Sequence, residues 1–134
     1  MRYELLEHTA DIMVRTTGAD LEECFANAAY ALEDQIVDAD RVRSLERVEI
    51  DVEGFDKEAL LLNFLSEFLF LFDTRRLVFG QFLVFIDGNT LHCDDWGEPI
   101  DVERHGAKRE IKAITYHMMQ VDEQTPSVTV LFDI

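Results

Sequence analysis

Asp56-Lys57-Glu58-Ala59-Leu60-Leu61-Leu62-Asn63-Phe64-Leu65-Ser66-Glu67-Phe68-Leu69-Phe70-Leu71-Phe72, followed by Val78–Ile86, Asp87-Gly88-Asn89 and Thr90–Trp96, decides the fold class. Asp56 suits an N-cap, because its carboxylate can accept a free amide of the first turn. Beyond that turn only Asn63, Ser66 and Glu67 are polar, on one narrow stripe, which predicts a central, nearly buried helix. The two apolar runs that follow are strands, joined at Gly88 and Asn89, residues that tolerate the positive φ of a tight turn.

Upstream, Asp20 and Glu23 form a capping-box pair ahead of Leu21, Cys24, Phe25, Ala28, Leu32 and Ile36 at helical spacing, so a second amphipathic helix starts there. Tyr3–Leu6 and Ile12–Thr16 read as short strands broken by Glu7-His8-Thr9-Ala10-Asp11, and Arg47–Glu53 alternates charge with β-branched residues as a strand with one wet face does. Downstream, Ile111–Val121 and Ser127–Ile134 read as strands. Helices confined to the first half and antiparallel pairs in the second predict an α+β fold: one layered domain over residues 1–134, mainly antiparallel, with two main helices.

The chain has 134 residues, with 12 Lys and Arg against 28 Asp and Glu, a net charge of −16. Residues 1–73 carry 6 basic against 18 acidic groups (−12), and residues 74–134 carry 6 against 10 (−4). Such a surface disfavours phosphate backbones and anionic lipid, which select clustered Lys and Arg, so neither direct nucleic-acid binding nor membrane binding is expected. It suits a basic protein partner or a divalent cation. With 48% apolar residues and ten Phe, the acidic excess belongs on a folded surface rather than a disordered tail. Cys24 and Cys93 have no CxxC or zinc spacing and read as reduced core residues. With no apolar stretch of signal-peptide or membrane-spanning form, the chain is expected in the cytosol.

Three places could carry chemistry. His8 and Asp11 interrupt an apolar strand region, either as a ligand pair or as a turn in which Thr9 and Asp11 bond local backbone. Val130-Leu131-Phe132-Asp133-Ile134 brings the Asp133 carboxylate beside the α-carboxylate of Ile134, an oxygen pair suited to a hard divalent cation; the alternative is a frayed end. Glu110-Ile111-Lys112-Ala113-Ile114-Thr115-Tyr116-His117 reads as a strand with Lys112, Ile114 and Tyr116 on one face, a solvated Lys and a core or edge His being the plain reading. Asp94, Asp95, Glu98 and Asp101 read as a solvated loop. No glycine-rich phosphate loop and no nucleophile triad is present, so no catalytic residue is assigned.

Tyr3 with His8-Thr9-Ala10-Asp11, Phe25 with Ala28-Ala29, Leu60–Leu65, Glu110–His117 and Phe132-Asp133-Ile134 together resemble the archease family along nearly the whole chain. The resemblance implies a cytosolic, non-catalytic activator of an RtcB-type RNA ligase in tRNA splicing and RNA repair, promoting the ligase's metal-requiring guanylylation and multiple turnover. It also implies a divalent metal ion, calcium first with magnesium or manganese as alternatives, held at Asp11, Asp133 and Ile134. His8, Lys112 and His117 match family motifs without an implied role. Phe64, Phe68, Phe70 and Phe72 depart from the family pattern, and excess apolar surface there would mark an oligomer contact. Two rival functions are a small metal-dependent phosphoester hydrolase with His8 or His117 as general base, and a chaperone-like scaffold using the Phe-rich helix.

Overall fold

The computed structural model describes residues 2–6 and 11–134. His8 therefore lies outside the described residues, together with Met1, Glu7, Thr9 and Ala10. The elements run β1 (Glu4–Leu6), β2 (Asp11–Thr17), α1 (Leu21–Ile36), a 3-10 turn (Ala39–Arg41), β3 (Glu46–Glu53), α2 (Lys57–Arg75), β4 (Leu77–Asp87), β5 (Thr90–Pro99), α3 (Val102–His105), β6 (Ala113–Asp122) and β7 (Ser127–Asp133). The strands form two antiparallel sheets, one ordered β1-β2-β7-β6 and the other β3-β5-β4. This is the α+β architecture expected, with one short helix, α3, that the sequence reading did not foresee.

Both long helices begin at the expected caps. Asp20 Oδ1 accepts from the Glu23 amide at 2.8 Å, and Asp56 Oδ1 accepts from the Ala59 amide at 2.7 Å. Capping satisfies donors that the first helical turn leaves without carbonyl partners. Each helix packs against strands of both sheets: α1 against β2, β7 and β4, and α2 against β6, β3, β4 and β5. The helices thus fill the space between the sheets. Phe25, Phe64, Phe68 and Phe79 are fully buried there, with Phe68 edge-on to both Phe79 and Phe82.

The aromatic run of α2 is therefore mostly core. Phe64 and Phe68 are buried, Phe72 is partly covered by the Arg76 guanidinium, and Phe70 stands exposed. No helix among the described residues is long and apolar enough to cross a membrane.

Three local readings are corrected. Asp94, Asp95 and Glu98 are not a solvated loop: β5 continues to Pro99, and Asp95 and Glu98 are buried. Their side chains alternate about the strand, so neighbouring acids fall on opposite faces. The expected strand Ile111–Val121 starts at Ala113 and is broken by a wide bulge, because Thr115 pairs with Leu131 and Gln120 with Thr129, leaving residues 116–119 opposite Val130 alone. Met118 takes φ +58° there, an uncommon conformation for a residue with a Cβ. In the β4–β5 turn only Gly88 has positive φ, while the Asn89 side chain is used to hold the Phe55 carbonyl at 3.1 Å.

Candidate metal centre

In the four-stranded sheet β2 and β7 are neighbours, so the start of one lies beside the end of the other. The register pairs Asp11 with Asp133, Ile12 with Phe132 and Val14 with Val130. Val14, Val130 and Phe132 are buried in the core with Ile12 packed against it, so the period-two alternation turns Asp11 and Asp133 together onto the opposite face. Residues directly opposite across an antiparallel pair have Cβ atoms ~4.5–5.5 Å apart, within the span of one cation's coordination sphere.

Across β7, Asp133 pairs with Ala113, a small and exposed residue. The Lys112 amide donates to the Asp133 carbonyl at 2.8 Å, which ties the approach to β6 to the same point. Lys112 and Asp133 are exposed, Asp11 is half-buried, and Ile134 follows at 43% exposure. The donors here are carboxylate oxygens, a hard set that fits Ca²⁺, Mg²⁺ or Mn²⁺ better than a soft metal. Like charges placed opposite each other on a sheet are mutually destabilising, and a bound divalent cation reverses that sign.

His117 is carried away from this point. It lies on the bulge beyond Thr115, in the direction opposite to Ala113, and its amide donates to Thr115 Oγ1 at 3.0 Å. A general base for water activated at Asp11 and Asp133 has to stand within one or two hydrogen bonds, a reach this register does not provide.

A second constellation, missed from sequence, lies on the outer face of the three-stranded sheet. Single ligand atoms of Glu49, His92 and Asp94 fall within 4.8 Å of one another. Arg47 Nη2 already sits among them, 2.6 Å from Asp94 Oδ1 and 3.1 Å from Glu49 Oε1. His92 spans Asp51 (Nδ1, 2.7 Å) and Asp94 (Nε2, 3.2 Å), and the Asp51 bond raises its pKa. A metal entering here would have to displace the guanidinium. The alternating acids of 47–53 were visible in the sequence, but the cross-strand match of Glu49 to Asp94 and Asp51 to His92 required the register.

Two buried acidic centres were also missed. Glu98 Oε1 accepts from Arg104 at 2.6 Å, Oε2 accepts from Arg104 at 3.0 Å and from the Arg43 amide at 2.7 Å, and His105 Nε2 lies 3.0 Å from Oε2. The Asp101 amide donates to His105 Nδ1, which places the ring hydrogen on Nε2, facing Glu98. With Arg104 the leading cause, these donors hold the Glu98 carboxyl well below the usual range. Glu33 and Asp95 have the opposite setting. Burial pushes Glu33 well above its ordinary value, and Asp95 up to about 7 although Cys93 Sγ donates to its Oδ1 at 2.7 Å.

Residues 3–134 match the Archease protein family (MTH1598/TM1083). The chain belongs to the archease family. It is 46% identical to Protein archease of Pyrococcus abyssi over 126 residues, 91% of this chain and 89% of the relative. It is also 34% identical to Protein archease of Danio rerio, covering 99% of this chain and 85% of that one. The solution structure of protein 1598 of Methanobacterium thermoautotrophicum superposes with a TM-score of 0.84 at 33% identity, covering 99% of each chain. Archease membership thus rests on the whole chain, including β2 and β7, the strands that bring Asp11 and Asp133 together.

Proposed function

We propose that this chain is a cytoplasmic activator of an RtcB-type RNA ligase in tRNA splicing and RNA repair, acting on the ligase's guanylylation and turnover without catalysing a reaction itself. The observation that carries the proposal is the register of β2 against β7, which sets Asp11 opposite Asp133 at one end of a sheet. Asp11, Asp133 and the main chain of Ile134 would hold a divalent cation, with calcium the first choice and magnesium or manganese alternatives. The bound ion would supply a concentrated positive charge at an otherwise acidic tip. The protein's own part is to keep the carboxylates aligned by the sheet register and to present that tip. Its net charge of −16 suits a partner whose RNA- and GTP-binding rim is basic, and complementarity of that kind mainly speeds encounter.

The assay is covalent GMP transfer to a cognate ligase with GTP and Mn²⁺. The wild-type chain is expected to accelerate it, and Asp11→Ala is expected to lose most of that acceleration while keeping the same far-UV spectrum. Absence of stimulation by the wild type would overturn the proposal.

A further inference from the structure

Away from the acidic tip, α1 and the 3-10 turn meet the chain just ahead of β1 in an open cleft of about 680 Å³ lined by Arg2, Tyr3, Tyr30, Asp34 and Asp40. Its aromatic wall is rigidly held. Tyr3 Oη donates to Asp34 Oδ2 at 2.6 Å and accepts from Gln35 Nε2 at 3.1 Å, while Gln35 Oε1 accepts from Arg109 at 2.6 Å. Tyr30 donates to Asp40, and the two rings lie 6.5 Å apart at a tilt of 50°. Asp34 is anchored in turn, taking the Ala39 amide at 3.0 Å and standing 3.6 Å from Lys108 Nζ.

The cleft already holds a cation from the chain itself: the Arg2 guanidinium lies over the Tyr30 ring, 4.1 Å from its centroid. An aromatic face backed by fixed carboxylates is the chemistry that recognises a planar guanidinium, which can stack and donate at once. Both acids are held by contacts that do not involve Arg2: Tyr3, the Ala39 amide and Lys108 on Asp34, and Tyr30 on Asp40. Arg2 is exposed, and among the described residues its side-chain contact is the Tyr30 ring.

We propose that the Tyr3–Tyr30–Asp34–Asp40 cleft is a guanidinium-binding site, that Arg2 is its resident occupant, and that the arginine side chain of a protein partner takes the place of Arg2. The site is independent of the metal centre and of the ligase proposal, since none of its residues belongs to either strand end that carries Asp11 and Asp133. Recognition requires Arg2 to swing off the Tyr30 ring, so occupancy by a partner and by Arg2 are mutually exclusive.

The test is an NMR titration of the full chain with N-acetyl-arginine amide, with N-acetyl-lysine amide as the second arm, following Tyr3, Tyr30, Asp34 and Asp40. Arg2→Ala is expected to bind the arginine compound at least tenfold more tightly than wild type, and to prefer it over the lysine compound. Adding Asp40→Asn to Arg2→Ala is expected to weaken binding severalfold, because Asp40 is exposed and its loss leaves the helix and core intact. Arg2→Gln serves as a second vacating variant if Arg2→Ala disturbs β1. Equal affinity of wild type and both vacated variants, equal binding of the lysine compound, or no saturable shift in a vacated variant whose remaining spectrum is unchanged would each overturn the site.

Discussion

Asp11 and Asp133 are separated by 121 intervening positions and sit directly across from each other in the β2–β7 ladder. The ladder places two carboxylates on one side of a sheet whose other side is packed with Val14, Val130 and Phe132. The two carboxylates stay opposed as long as that packed register is kept. The hydrophobic register thus imposes an electrostatic condition at its end.

Asp133→Asn removes one of the opposed charges at nearly constant volume. In chelator the variant is expected to be as stable as wild type or more stable by up to about 1 kcal/mol, the scale of a cross-strand charge pair. In calcium at ~100 times the wild-type dissociation constant, wild type is expected to gain about 2.7 kcal/mol and the variant almost none. Thermal melts with EDTA and with Ca²⁺ measure both.

Residues appended after Ile134 crowd the main-chain oxygens that would serve as ligands beside Asp133. A short Gly-Ser extension is expected to weaken calcium binding at least tenfold in calorimetry while leaving the melting temperature in EDTA unchanged. Unaltered affinity would take Ile134 out of the ligand set.

Glu98 is 2% exposed and binds Arg104, Arg43 and His105. Glu98→Gln keeps the shape but removes the anion that both guanidiniums face; because Arg43 and Arg104 are part-exposed and can be rehydrated, the expected cost is about 1.5–3 kcal/mol, the range for a hydrogen bond to a charged group. Urea unfolding checks this, and the loss is expected to be largest above pH 5, where the glutamate is ionised in the unfolded chain as well as in the fold.

Stability should also peak in mildly acidic solution. Asp95 is raised from 3.8 to about 7 by burial, with Asp94 adding to the rise and Cys93 and His92 opposing it. A raised carboxyl favours the folded state while protonated, so this contribution is complete below about pH 4 and is lost as pH climbs through 7, worth on the order of 4 kcal/mol at ~1.4 kcal/mol per unit. Glu98, held low, acts in the reverse sense: its contribution is present above the ordinary glutamate value and lost as pH falls. Melting temperatures between pH 3 and 9 are expected to be highest near pH 4–5 and to fall toward alkaline pH, and Asp95→Asn should flatten the alkaline side.

Much of the fold was legible along the chain. Asp20 and Asp56 cap where their positions ahead of apolar helical runs said they would, since a cap depends on amides only two or three residues away. Cys24 and Cys93 are both free and buried, as their apolar settings implied. Asp95 and Glu98 went wrong for a related reason: their partners, Cys93 aside, come from Arg43, Arg104 and His105 in other segments, and acids beside Gly97 and Pro99 look solvated until those partners arrive.

The sequence alone settled the two long helices, most of the strands and the family to which their motifs belong, because hydrophobic period and capping are properties of a few neighbouring residues. Which residues stand side by side was decided only in three dimensions. The pairing of Asp11 with Asp133, the bulge at residues 116–119, the Arg47 guanidinium between Glu49 and Asp94, and the Arg2 stack on Tyr30 are all contacts between distant segments. Their geometry follows from how two sheets close around α1 and α2, and that closure minimises exposed apolar area over the whole chain rather than satisfying any one stretch of it.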